Sequence, residues 1–175
     1  MENKLKYIVL ILMPILLLGC GINDVKTLSK YEILNKDLGI SGYLEIETRD
    51  SLNYIVNIIK RYNRDKVLKN NRKETYLINN NTLISLDGSL QLYANKKDKC
   101  YDYKSSTDNN FQSCFIGFVQ LEIGDKTFYK VKKFLISEKE VDGISRYEYY
   151  DDNFNLLRSE YNDGPLNYFR IEKVD

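Results

Sequence analysis

Histidine and tryptophan are absent from the chain, proline occurs twice and cysteine three times. Without histidine there can be no Ser–His–Asp or Cys–His triad and no imidazole acid–base catalyst, and most transition-metal sites lose their commonest ligand. Glycine-rich phosphate loops and strand–turn–helix nucleophile elbows are missing from the nine glycines as well. Charge of either sign is not in excess: 26 basic residues face 25 acidic ones, without a basic tract or an acidic tail. Nucleic acid is therefore not an expected partner, and neither a cofactor nor a metal is expected.

What is present begins with a three-part leader. Lys4 and Lys6 give a short basic start, residues 7–18 form an apolar run, and Gly19 precedes Cys20. A helix needs about 20 apolar residues to span a bilayer, and this run is shorter and holds Pro14. It reads as a secretion signal, residues 1–19, and not as a permanent membrane span. The sequence Leu17-Leu18-Gly19-Cys20 resembles the lipobox of bacterial lipoproteins. That resemblance implies cleavage before Cys20, diacylation of its sulfur and attachment to a membrane through the acyl chains. Each buried methylene contributes about 0.8 kcal/mol, so two or more chains anchor stably. Gly21 follows in place of Asp, which by the same resemblance favours the outer membrane, facing periplasm or surface, over the inner membrane.

Removing Lys4, Lys6 and Glu2 leaves the exported part with a net charge of zero and two cysteines, Cys100 and Cys114. An even pair in an oxidising compartment is expected to form a disulfide. Closing a loop of this length contributes about 3 kcal/mol on the chain-entropy argument. Zinc would need about four ligands of Cys, His or carboxylate type, and histidine is lacking.

The pattern of the exported part predicts a tether over 20–38 followed by one domain over 39–175. Residues 40–47 alternate as a strand, with Leu44 and Ile46 on one face and Glu45 and Glu47 on the other. The stretch 51–66 is ambiguous. Leu52, Ile55, Val56, Ile59 and Tyr62 recur at helical spacing, while Tyr54, Val56 and Ile58 alternate and β-branched residues abound. The spacing favours one helix near 51–66. From Glu74 onward short alternating runs are separated by turn residues, among them Asp87-Gly88, Gly124-Asp125 and Asn162-Asp163-Gly164. The fold expected is mainly β, with α+β as the variant that includes the helix. It is an antiparallel meander sheet curved into a half-barrel, or closed as a barrel or sandwich.

Carboxylate pairs occur at Glu45 with Glu47, Glu138 with Glu140 and Asp151 with Asp152. Two carboxylates across a cleft can run glycoside chemistry, but these lie on a solvated strand face or in turns, so no catalytic residue is assigned. Tyrosine is the conspicuous surplus, fifteen in all. Sheet packing is its default use; a binding face built from Tyr147, Tyr149, Tyr150, Tyr161 and Tyr168 is the functional alternative. Tyr149 and Tyr150 are adjacent, so they point to opposite faces and one of them is expected to be exposed. The segment 147–157 resembles a single unit of the YD-repeat family. A leader followed by a single meander sheet is similar in architecture to the curved half-barrels of the LolA and LolB lipid carriers. The expectation is a non-enzymatic envelope lipoprotein that binds a protein or envelope component as an accessory or assembly module. An inhibitor or immunity lipoprotein against an envelope-acting toxin or lytic enzyme, and a carrier of lipid or another apolar ligand, remain alternatives.

Overall fold

The computed structural model describes residues 25–35, 39–51, 53–79, 81–105, 107–139, 143, 145–162 and 168–174. The leader, Cys20 and residues 36–38 lie outside the described residues. Twelve strands follow in chain order: β1 (Val25–Asn35), β2 (Gly39–Ser51), β3 (Tyr54–Asn63), β4 (Leu68–Asn79), β5 (Thr82–Ser85), β6 (Gln91–Tyr93), β7 (Lys99–Lys104), β8 (Asn110–Ile123), β9 (Lys126–Glu138), β10 (Ser145–Tyr150), β11 (Leu156–Asn162) and β12 (Tyr168–Lys173). They form one antiparallel sheet in the order β6-β5-β4-β3-β2-β1-β12-β11-β10-β9-β8-β7. Each half of the chain is a six-strand meander, and the two halves join where β1 pairs with β12.

Two expectations give way here. The stretch expected as a helix near 51–66 is strand β3, paired with β2 on one side and β4 on the other. Its β-branched residues are stiff at χ1 and pack well on a pleated surface, and two ladders satisfy every second backbone group on each side. The tether expected over 20–38 is strand from Val25 to Asn35. Ser29, Tyr31 and Ile33 are buried in alternation with Lys30 and Glu32, which is the period of a strand with one wet face. The folded unit thus starts at or before Val25.

The sheet curls until its two edge strands meet, giving a nearly closed barrel. β6 packs on β7 and β8 without forming a ladder. At this seam the Ser113 hydroxyl donates to the Gln91 carbonyl at 2.5 Å, and the Tyr93 and Tyr101 rings lie 4.4 Å apart. The seam covers the unpaired edges that would otherwise invite another strand. Beside it the disulfide Cys100–Cys114 links directly opposed residues of β7 and β8, with Cα atoms 4.0 Å apart.

Inside the barrel, Ile55, Tyr76, Leu83, Leu90, Leu92, Phe115, Phe134, Ile136, Tyr150 and Phe154 form the main apolar cluster. A second cluster of Leu121, Ile123, Val131, Tyr149 and Leu157 sits on the other face of β8 to β11. Lys132 is nearly fully buried, and its ammonium donates to the carbonyls of Asp151 (3.3 Å) and Asp152 (2.6 Å) while lying 4.5 Å from the Phe154 ring centre. Burial pushes its pKa below the ordinary lysine value against the pull of Asp152 and Asp151. Lys132 therefore pins the β10–β11 turn to β9.

Candidate functional site

A cavity of about 600 Å³ runs through the barrel interior. Its apolar wall comes from inward positions of β1 to β3, among them Tyr31, Ile33, Leu44, Ile46, Ile55 and Ile59. Toward one end Arg61, Asn70 and Arg72 line it and are also exposed to solvent. That end is its mouth.

Two strands each turn an Arg, a Glu and a Tyr inward at successive inward positions, in the same order. On β4, the Arg72 guanidinium contacts the Glu74 carboxylate at 2.9 Å, and the Tyr76 hydroxyl donates to the other Glu74 oxygen in a short hydrogen bond. On β10, Arg146 contacts Glu148 at 2.6 Å and the Tyr150 hydroxyl donates to the second Glu148 oxygen at 2.5 Å. Alternation places residues i, i+2 and i+4 on one face of a strand, so three side chains from one strand form each chain of contacts. Burial, reinforced by Glu74, holds the Tyr76 phenol above its ordinary pKa. Burial and then Glu148 do the same for Tyr150. Burial works to lower the pKa of Arg146, but Glu148, Tyr161 and Tyr150 together raise it and keep the guanidinium charged. All six side chains line the cavity.

The barrel is shared with two solved bacterial proteins. One is a candidate lipoprotein of Parabacteroides distasonis, with 12% identity over 85% of this chain and 93% of that one, at a TM-score of 0.56. The other is a candidate exported protein of Bacteroides fragilis with a YmcC-like fold, with 11% identity over 83% of this chain and 92% of that one, at a TM-score of 0.58. No family model and no curated protein sequence matches the chain. At these identities the likeness is one of fold.

Within this barrel the five tyrosines expected to form a face do not share one. Tyr147 is exposed on the outside, with the Lys133 ammonium 4.3 Å from its ring centre. Tyr149 also points outward but is enclosed in the second cluster, at 7% exposure, with its hydroxyl donating to Glu160 at 3.0 Å. Tyr150, at 5% exposure, and Tyr161 line the cavity. The side chain of Tyr168 lies outside the described residues. The expectation that either Tyr149 or Tyr150 is exposed therefore fails: this end of β10 is covered on both faces, one by the barrel interior and one by the second cluster. Among the acidic pairs, Glu45 accepts from the Tyr62 hydroxyl at 2.8 Å, and Lys26 and Arg49 hold Glu47 below its ordinary pKa. Glu138 accepts from the Asn109 amide at 2.7 Å, and Asp151 caps the β10–β11 turn through Asn153 and Asn155. Glu140 lies outside the described residues. These acids serve surface pairs and turns, and the cavity acids Glu74 and Glu148 were not among the residues singled out.

A sequence signal for them exists. Arg72-Lys-Glu-Thr-Tyr76 and Arg146-Tyr-Glu-Tyr-Tyr150 match at Arg, Glu and Tyr. At the same offset Asn79 recurs as Asn153, Asn81 as Asn155, Leu83 as Leu157 and Ser85 as Ser159. Asp87-Gly88 recurs as Asp163-Gly164 after two extra residues. β4 and β10 are the fourth strands of their respective six-strand halves, so the repeat maps onto the topology. The two copies lie far apart in the chain and match at alternate positions only, so the repeat shows only when the two halves are laid over each other.

Proposed function

We propose that this chain is a lipid-anchored lipoprotein of the bacterial envelope and acts as a non-enzymatic binding module whose site is the barrel cavity. The anchor rests on Leu17-Leu18-Gly19-Cys20 after an apolar leader, and is supported by the shared fold with a candidate lipoprotein and a candidate exported protein. The observation that carries the binding role is the roughly 600 Å³ cavity, since sites for small ligands are concave, mostly apolar and furnished with a few converging polar groups. The outer surface carries ion pairs such as Lys26–Glu47 and Lys139–Asp102, which suits water and not acyl chains. Within the same reading, Gly21 after the cysteine supports the outer membrane over the inner one.

Labelling with radioactive palmitate tests the anchor. Wild type should take up label and partition into detergent, and Cys20→Ser should do neither and should remain unprocessed. Normal processing and membrane retention of the Ser variant would overturn the lipoprotein reading. Turnover of an envelope substrate that Glu74→Gln or Glu148→Gln abolishes in folded protein would overturn the non-enzymatic one.

A second reading, an accessory or inhibitory module that docks a protein, is favoured by the exposed aromatics Phe118, Tyr129 and Tyr147 on β8 to β10. Docking through a free sheet edge is not supported, because β6 and β7 cover one another.

A further inference from the structure

We infer that the barrel cavity takes a neutral polyhydroxylated ligand, about one or two sugar rings in size, held between the two Arg–Glu–Tyr triads. This rests on the reading of the barrel as a binding module and names the chemistry of its ligand. The volume is the first constraint: about 600 Å³ lies within the range of small-molecule sites.

Charge is the second. Each cavity carboxylate is already matched by a guanidinium of its own strand, Arg72 to Glu74 and Arg146 to Glu148. A cationic ligand would find no unpaired acid among the described lining residues, and the third guanidinium, Arg61, stands at the exposed mouth and not between the two triads. A fatty acyl chain would have to lie against both pairs, offer neither of them a hydrogen bond and strip the water that still reaches Arg72.

Hydrogen-bonding capacity is the third. Guanidiniums donate, carboxylates accept, and the Asn57 and Asn70 amides do both. Such a mixed lining complements hydroxyl groups, each of which donates once and accepts twice. Apolar walls from Leu44, Ile46 and Ile55 suit the C–H faces of a sugar ring.

An orphaned group points the same way. The Ser159 hydroxyl lines the cavity at 2% exposure and has no hydrogen-bond partner among the described residues. Its repeat counterpart Ser85 is fully engaged: it receives the Leu90 amide at 2.8 Å and donates to the Leu90 carbonyl at 3.2 Å. A buried hydroxyl without a partner is costly, and a ligand that bonds to it removes the cost.

The test is equilibrium dialysis of the full-length protein in detergent micelles, with empty micelles subtracted. The probes are radiolabelled N-acetylglucosamine, maltose and myo-inositol as neutral polyols, glucosamine as a cation and myristate as an acyl chain. At least one neutral polyol should be retained at one per chain, in preference to glucosamine and myristate. Ser159→Ala removes a hydroxyl that bonds to nothing in the protein, so its melting temperature should not fall, whereas retention should drop about tenfold, the scale of one lost hydrogen bond. Arg72→Gln, at the exposed mouth, should weaken retention by a similar factor without unfolding. Free passage of all three polyols, or equal retention by wild type and both variants, overturns the inference. Retention of myristate alone overturns the ligand class and leaves the binding-module reading standing. If no probe is retained and native mass spectrometry of protein purified from its own membranes shows no bound molecule, both fall.

Discussion

The clearest single-residue constraint is Gly42 on β2. A Cβ there would stand 2.6 Å from the Tyr62 carbonyl oxygen, and that oxygen is backbone, which cannot swing aside. Gly42→Ala should destabilise the fold by about 1–3 kcal/mol, the usual range for overpacking, and urea unfolding measures it. Unchanged stability would mean that β2 and β3 can separate at this point. Adjacent tyrosines give a sharper contrast. Tyr149→Ala should cost about 3–5 kcal/mol, the range for emptying an aromatic site in a core, because Leu121, Ile123, Val131 and Leu157 enclose the ring. Tyr147→Ala should stay within about 0.5 kcal/mol, as expected of an exposed position. Equal melting temperatures for the two variants would contradict this division of β10. The sequence showed that the two residues face opposite ways, because alternation is local. It could not show that both faces are covered, because the cover on Tyr149 comes from β8 and β9, placed by long-range pairing.

At the scale of elements, the strands after Glu74 were legible almost throughout, since each is a short alternating run closed by a turn signal. Asp87-Gly88 and Gly124-Asp125 both sit between paired strands, with Gly88 and Gly124 at positive φ. Strands β1 and β3 were not legible, for different reasons. β1 is mixed and polar outside Tyr31 and Ile33, and its order comes from being the middle strand that joins the two halves. β3 carries two periods at once, and only its neighbours β2 and β4 decide between them. The disulfide was legible from an even pair of thiols behind an export leader, and its place now gives it a consequence. It ties edge strand β7 to β8 beside the seam. Reduction should cost about 3 kcal/mol, and the loss should be felt first at β7, whose ladder runs only to β8. Hydrogen exchange before and after reduction checks this: Tyr101 and Tyr103 amides should lose protection ahead of those in β2. Uniform loss across the sheet would mean that the bond stabilises the whole barrel and not its edge.

For the whole molecule, the decisive feature is that a polar interior has been built inside a β-barrel from two copies of one strand pattern. About eight strands make a barrel that side chains can just fill; this sheet has twelve, and β4 and β10 bring two ion pairs and two phenols inward with a cavity left between the walls. That arrangement couples stability to alkaline pH. The phenols of Tyr76, Tyr103 and Tyr150 are all held above the ordinary tyrosine value of about 10, first by burial and, for Tyr76 and Tyr150, by a neighbouring carboxylate. For Tyr103 the value is pushed up to about 12. Between about 10 and these raised values the folded chain keeps protons that the unfolded chain gives up. By linkage the stabilisation is fully present below pH 10 and is lost as pH rises through the folded values. Urea unfolding at a series of alkaline pH values should therefore show a steep fall in stability above pH 10, with tyrosinate absorbance appearing together with unfolding. Tyr103→Phe is the cleanest probe, because the Tyr103 hydroxyl has no hydrogen-bond partner among the described residues. The substitution should leave stability at neutral pH unchanged or slightly higher and should make the alkaline fall shallower. If the slope above pH 10 is the same in wild type and Tyr103→Phe, that phenol is already in contact with water and burial is not what links this part of the barrel to pH.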